Sequence, residues 1–171
     1  MPIYGTGIPD VVIDAHNTED VSVIMSICNE YKIPVVARGA GSGLTGSSVA
    51  INKGVMINMQ TMNKILDYDE DNMVVRVQPG VYLADLAKDA ESKGYIYPPD
   101  PGEKYATLGG NVVTNAGGMR AVKYGTTKDY VRAMEVVLPN GEIVNFGAVV
   151  SKSPTGYNFK DLMVGSAGTL G

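Results

Sequence analysis

The sequence has one cysteine, one histidine and no tryptophan in 171 residues. A lone cysteine excludes a disulfide framework, and one His beside one Cys excludes the common zinc-finger and zinc-ribbon ligand spacings, so no metal site is expected. There is no basic excess: 14 Lys and Arg stand against 18 Asp and Glu, giving a formal charge of −4 and a pI near 4.9. A general positive field for nucleic acid is therefore missing. No apolar run approaches the length of a bilayer-crossing helix, so no integral membrane segment is expected. The opening Met-Pro-Ile-Tyr-Gly-Thr-Gly has neither the basic nor the apolar block of a secretory signal, which makes the cytoplasm the expected location. At 44% hydrophobic and 19% charged residues, the chain is neither disordered nor fibrous.

Glycine is what the sequence has in abundance. The 21 glycines make roughly 12% of the chain, against about 7% in an average protein. Eleven of the 21 fall in three places. Gly39, Gly41, Gly43 and Gly46 form the first group. Gly109, Gly110, Gly117 and Gly118 bracket Asn111–Ala116, and Gly165, Gly168 and Gly171 close the chain.

The elements between them read as α+β. Val11–Ile13 is a short buried strand. Asn17 or Thr18 caps a helix that Glu19 and Asp20 favour and along which Val21, Ile24, Cys28 and Tyr31 recur at helical spacing. Pro34 bars its continuation, and Pro34–Ala37 is a second strand, giving a small parallel unit. Gly54–Met59 is a third strand. Ile65–Tyr68 and Met73–Val77 flank a polar turn as a hairpin, and Val81–Lys93 is a helix ending at Gly94. Met134–Leu138 and Glu142–Phe146 form a second hairpin around Pro139-Asn140-Gly141. The expected division is a small parallel βαβ part over residues 1–59 and a larger, mainly antiparallel part with helices over 60–171.

Two nucleotide motifs fail in the first glycine loop. Gly41-Ser42-Gly43-Leu44-Thr45-Gly46 matches G-x-G-x-x-G after a strand, but seven residues separate Gly46 from Gly54, too few for the helix a Rossmann site needs. A P-loop needs Lys then Ser or Thr after its last glycine, and Ser47-Ser48 stands there. What remains is a candidate cradle of backbone N–H groups able to hold an anion, with Arg38 as a neighbouring charge; taken alone, the loop reads more readily as a flexible loop around a tight turn. Thr107-Leu108-Gly109-Gly110-Asn111 to Asn115-Ala116-Gly117-Gly118 combines tight turns with neutral hydrogen-bonding side chains. Such a set suits a large, mostly neutral ligand with an anionic centre, as a flavin dinucleotide is.

Several stretches carry a family resemblance. They are Pro34–Gly46, Tyr97–Pro101, Thr107–Gly118 with Arg120–Gly125, Thr155-Gly156-Tyr157 and Val164–Gly171, and the start from Pro9 agrees. The sequence resembles the FAD-binding domain of the vanillyl-alcohol-oxidase and p-cresol-methylhydroxylase superfamily, and within it the branch of the glycolate oxidases and D-lactate dehydrogenases. The resemblance implies a PCMH-type fold with FAD between two subdomains. Arg38, Gly39, Ala40, Gly41, Ser42, Gly43 and Leu44 would then hold the pyrophosphate. Pro79 and Gly80, with Thr107, Gly109, Gly110, Asn111, Thr114, Asn115, Gly117 and Gly118, would line the rest of the dinucleotide. It implies oxidation of a 2-hydroxy acid of the glycolate or D-lactate type by hydride transfer to flavin, with electrons passed to an acceptor protein or quinone. Some relatives bind flavin covalently through a His in the first glycine loop; Ser42 stands in that place, so FAD is expected to be non-covalent.

Ala167 departs from the family's closing motif, which usually has Glu there. Relatives also continue into a C-terminal cap domain that carries substrate contacts and the catalytic base. The expectation is thus a piece of a longer enzyme, inactive alone, in which no residue takes a catalytic label. A non-catalytic FAD or nucleotide module of a larger complex is the alternative. A phosphate-ligand binder without redox chemistry fits the second glycine cluster less well.

Overall fold

The computed structural model describes residues 6–171; Met1–Gly5, part of the opening stretch and of the expected 1–59 unit, lie outside the described residues. Val11–Asp14 forms β1, Thr18–Glu30 α1, Val35–Arg38 β2 and Val55–Asn58 β3. The Asn17 side chain accepts the Asp20 N–H at 2.8 Å and starts α1, with Glu19 and Asp20 in the first turn. The three strands are parallel, in the order β1-β3-β2. The strand–helix–strand unit is therefore present with the third strand seated between its two strands. Val55 and Ile57 of this central strand pack with Ala15, Cys28 and Met62, and Ile13, Val21, Ile24 and Val35 close the cluster. Burial pushes the Cys28 thiol up, as suits a core cysteine and not a nucleophile.

Ile65–Asp69 (β4) and Val74–Val77 (β5) pair antiparallel around the expected turn, where Asp69 accepts the Asn72 N–H at 3.0 Å. Helix α2 covers Leu83–Ser92, two residues shorter at its start than the apolar pattern suggests. Val81 and Tyr82 are held extended instead, because Tyr82 forms a β-bridge with Thr107 and Val81 O accepts the Leu108 N–H at 2.8 Å. At the far end, Tyr95 N–H bonds Ala90 O at 2.9 Å and Gly94 N–H bonds Glu91 O at 3.0 Å, closing the helix. Val81, Leu83, Leu86 and Leu108 form a second core cluster, with Ile65, Val75, Val77 and Tyr97 against it.

Three helices follow that the sequence pattern does not announce: α3 over Leu108–Thr114, α4 over Ala121–Tyr124 and α5 over Lys160–Met163, with a 3-10 turn at Thr127–Tyr130. The tight turns expected from Thr107 onward are thus mostly helix. Gly109 is tolerated inside α3 because its missing side chain lets the helix seat on Pro79, whose Cβ would lie 2.7 Å from a Gly109 Cβ. Ala133–Val137 (β6) and Ile143–Gly147 (β7) form the second antiparallel hairpin. The antiparallel pairs stand as two separate two-stranded sheets. The β6–β7 hairpin lies against α1: the Ser22 hydroxyl donates to Gly141 O and the Thr18 hydroxyl to Glu135 Oε1, both at 2.6 Å. The architecture is α+β. Among the described residues, no helix is long and apolar enough to cross a membrane.

Candidate functional site

The three parallel strands end in register at Asp14, Asn58 and Arg38. Asn58 Nδ2 donates to Asp14 Oδ1 at 2.7 Å across this edge. The carboxyl ends of parallel strands are where open sheets bind ligands, and the first glycine loop leaves β2 there. Arg38 Nη1 donates to Ser48 O at 3.2 Å, so the side chain ties the two ends of the loop together and lays its charge across Gly41. Gly41 has φ +69°, a conformation that excludes most side chains. No backbone N–H from Gly39 through Gly43 donates to another described residue. A side chain added at Gly43 would meet nothing within 4 Å, and Ser42 and Leu44 are exposed. Ala40 is half-buried. Five N–H groups without a partner among the described residues thus lie on the loop that Arg38 spans, the groups from which an anion nest is built. His16, at the same edge after β1, is exposed, and its backbone N–H donates to Asp20 Oδ2 at 2.8 Å.

The second glycine cluster abuts this loop. A Cβ on Gly39 would overlap Thr107 Oγ1, and one on Gly110 would come within 3.1 Å of the same atom. Gly109 N–H donates to Pro79 O at 2.8 Å, and Gly80 N–H to Met62 O at 2.7 Å. The structure thus brings Gly39, Pro79, Gly80, Thr107, Gly109 and Gly110 together. Other residues of the cluster are engaged inside the protein. The Thr114 hydroxyl donates to Gly110 O at 2.7 Å, and Asn115, left-handed at φ 48°, accepts the Lys128 N–H at 2.9 Å through Oδ1. Gly118 packs on the Asp100 carbonyl, and Gly117 is half-buried beside Thr126. Asn111 is the exception. It is 4% exposed, and its Nδ2 has no hydrogen-bond partner.

The residues present fit FAD. The free N–H groups and Arg38 suit a pyrophosphate, whereas an unpartnered buried amide suits a neutral acceptor.

Asp100, Lys104 and Arg120 form a polar lock beside this region. Asp100 accepts from Lys104 Nζ and pairs with Arg120 Nε at 3.3 Å. The i, i+4 spacing of Asp100 and Lys104 is its one signal in the sequence, and it lies in a segment with no helical pattern. The lock borders a hollow of about 150 Å³ lined by Leu83, Ala87 and Tyr97. A larger hollow, about 470 Å³, lies against β7 and is lined by Arg132, Phe146, Tyr157 and Lys160. The Lys104 hydrogen bond, then the Lys104 and Arg120 charges, hold the Asp100 carboxyl below its usual range against an opposing desolvation effect. A carboxyl depressed in the folded state stabilises above its unfolded pKa, and that stability is lost as pH falls through the folded value. Asp100→Asn is therefore expected to lower the melting temperature at neutral pH and to leave it unchanged in acid below both values. Equal losses at both pH values would refute the ion-pair account.

Comparison with known proteins adds the following. The model of a family described as an FAD binding domain matches residues 9–147. A D-lactate dehydrogenase of Anaerostipes hadrus is 61% identical over 171 residues, which is 100% of this chain and 36% of that protein. Glycolate oxidase subunit GlcD of Bacillus subtilis is 46% identical over 164 residues, covering 95% of this chain and 35% of its own. The solved structure of an alkyldihydroxyacetonephosphate synthase superposes with a TM-score of 0.82 at 29% identity, over 95% of this chain and 32% of that one. The chain spans about a third of the length of the relatives it matches.

Proposed function

The chain belongs to the FAD binding domain family, and on that footing we propose that it is the FAD-holding part of a flavin-dependent oxidoreductase acting on a 2-hydroxy acid of the D-lactate or glycolate type. The observation that carries the reading is the set of unused N–H groups from Gly39 to Gly43, laid beside Arg38 and against Thr107. Arg38 and this loop hold the pyrophosphate. Pro79, Gly80 and α3 line the rest of the dinucleotide, which lies between the 1–59 and 60–171 parts. When bound, the flavin supplies the acceptor for a hydride leaving the α-carbon of the substrate. The substrate class rests on kinship with the two relatives named above and applies to the whole protein, as does electron transfer to a protein or quinone acceptor. Ser42 offers no imidazole for a flavin bond, so the FAD is held without a covalent link. No residue among the 171 is assigned as catalytic base.

Thermal melting with and without FAD tests the cofactor reading. A native-state ligand at a hundred times its Kd adds about 2.7 kcal/mol, or roughly 5–10 °C in a chain of this size. Denaturing the complex should release all the flavin. An unchanged melting temperature in excess FAD would refute the assignment. Loss of the bound flavin's visible absorbance on adding D-lactate or glycolate to the whole enzyme tests the substrate class.

A further inference from the structure

Of the eleven asparagines, Asn140 alone is followed by glycine. An Asn-Gly pair is the dipeptide most open to deamidation, because glycine puts no side chain around the backbone nitrogen that attacks. In that reaction the Gly141 nitrogen loses its proton to solvent, bonds to Asn140 Cγ and expels the side-chain nitrogen as ammonia. Water then opens the resulting cyclic imide at either carbonyl, leaving aspartate or isoaspartate.

The turn holds the reacting atoms apart from this path. Pro139 and Asn140 form its corner, and the Gly141 N–H donates to Leu138 O at 2.8 Å. Gly141 follows at φ +88°, and Leu138 N–H donates to Glu142 O at 2.8 Å, the three-residue hairpin loop that ends in a left-handed glycine. Asn140 Oδ1 accepts the Glu142 N–H at 3.1 Å, which ties the side chain to the next strand.

Helix α1 closes the turn from the other side. Asn140 is exposed, but Gly141 is buried. The Ser22 hydroxyl donates to Gly141 O at 2.6 Å, and Ser26 Oγ stands 3.5 Å from Asn140 O. A Cβ on Gly141 would overlap Ser26 Oγ and lie 2.9 Å from Ser22 O. The peptide unit joining Asn140 to Gly141 is thus pinned at its N–H by Leu138 and crowded at its C=O by Ser26. Imide formation needs that unit to rotate and its N–H to be released.

We propose that Asn140-Gly141 is a deamidation site gated by the seat of the β6–β7 hairpin on α1. It is closed while Ser22 and Ser26 cover the turn, and it opens when the hairpin lifts. Isoaspartate carries the main chain through its side-chain carbon and lengthens it by one methylene. A three-residue loop that includes it no longer fits under Ser26 or matches the pairing of Val137 with Ile143. One opening of the hairpin is thereby made permanent, with a negative charge added at the turn.

The test follows conversion of Asn140 in the whole protein by peptide mapping with mass spectrometry, with chromatography to separate the aspartate and isoaspartate products. In the folded protein the rate should lie at least about tenfold below that in urea, an opening cost of about 1.4 kcal/mol. Hydrogen exchange at the Gly141 amide reads the same opening without any substitution and should be slowed by a similar factor. Ser22→Ala removes the bond to Gly141 O and should speed conversion in the folded state about two- to tenfold, the worth of one hydrogen bond. Equal rates in folded and unfolded protein overturn the gate, and so does an unprotected Gly141 amide. A Ser22→Ala protein that melts cooperatively and deamidates at the wild-type rate removes α1 from the device. The isoaspartate form, isolated and refolded, should melt below Asn140→Asp, which keeps the acceptor for the Glu142 N–H; equal melting temperatures refute the lasting displacement.

Discussion

Gly41→Val is expected to abolish measurable FAD binding at micromolar cofactor while leaving the protein folded. Gly41 has φ +69°, where a β-branched residue carries about 1–3 kcal/mol of strain. The added side chain would also run into the guanidinium of Arg38, the group that ties the loop to Ser48 and places a positive charge over it. The loop must therefore open or turn, and either movement rearranges the N–H groups of Gly39–Gly43 that the proposed function assigns to the pyrophosphate. Strain alone corresponds to a five- to 150-fold loss, and the broken nest adds to it. Gly43→Ala is the companion substitution. Its Cβ meets nothing within 4 Å, so the melting temperature of the empty protein should not change, and any loss of affinity reports a ligand in that space. Titration of FAD against both variants decides the matter; wild-type affinity in Gly41→Val would remove the pyrophosphate from this loop.

Leu86→Ala should produce the largest loss of stability. Leu86 is 1% exposed on the inner face of α2, where it joins Val81, Leu83 and Leu108. Truncating a buried leucine costs about 2–5 kcal/mol, through lost burial and the cavity left behind, which lowers the melting temperature by roughly 4–20 °C in a chain of this length. Leu108 opens α3, so loosening this cluster also frees the helix that carries Asn111, and FAD affinity should fall with stability. Leu66→Ala, at a side chain 51% exposed on β4, should change stability by no more than about 0.5 kcal/mol. Similar melting shifts for the two variants would show that the α2–α3 cluster is not the main core of this part.

The features visible in the sequence are those set by near neighbours. Asn17 followed by Glu19 and Asp20 is a helix start wherever it occurs, and a polar turn between two apolar alternations gives the β4–β5 hairpin. The first glycine loop is legible for the same reason, since spacing and a preceding strand place it. The position of β3 between β1 and β2 is not. Nothing in Gly54–Met59 says which strand it will pair with, and the answer lies in packing against α1. Helix α3 is hidden more deeply. Two glycines and the β-branched Val112-Val113 lower helix propensity, and the seven residues hold as a helix through contacts to Pro79 and Val81 made across the fold. The roles of Thr114 and Asn115 turn on bonds to Gly110 and Lys128 that composition cannot reveal.

The grip of the β6–β7 hairpin on α1 also sets a timetable for biosynthesis. Thr18 and Glu135 are 117 positions apart, and Ser22 and Gly141 are 119 apart. At about 5–20 residues per second, a ribosome needs roughly 6–24 s to supply the second partner after the first has emerged. During that interval, the face of α1 that will receive the hairpin stays bare. Until then the hydroxyls of Thr18 and Ser22 are left to water, and the hairpin is the clasp that takes the water's place.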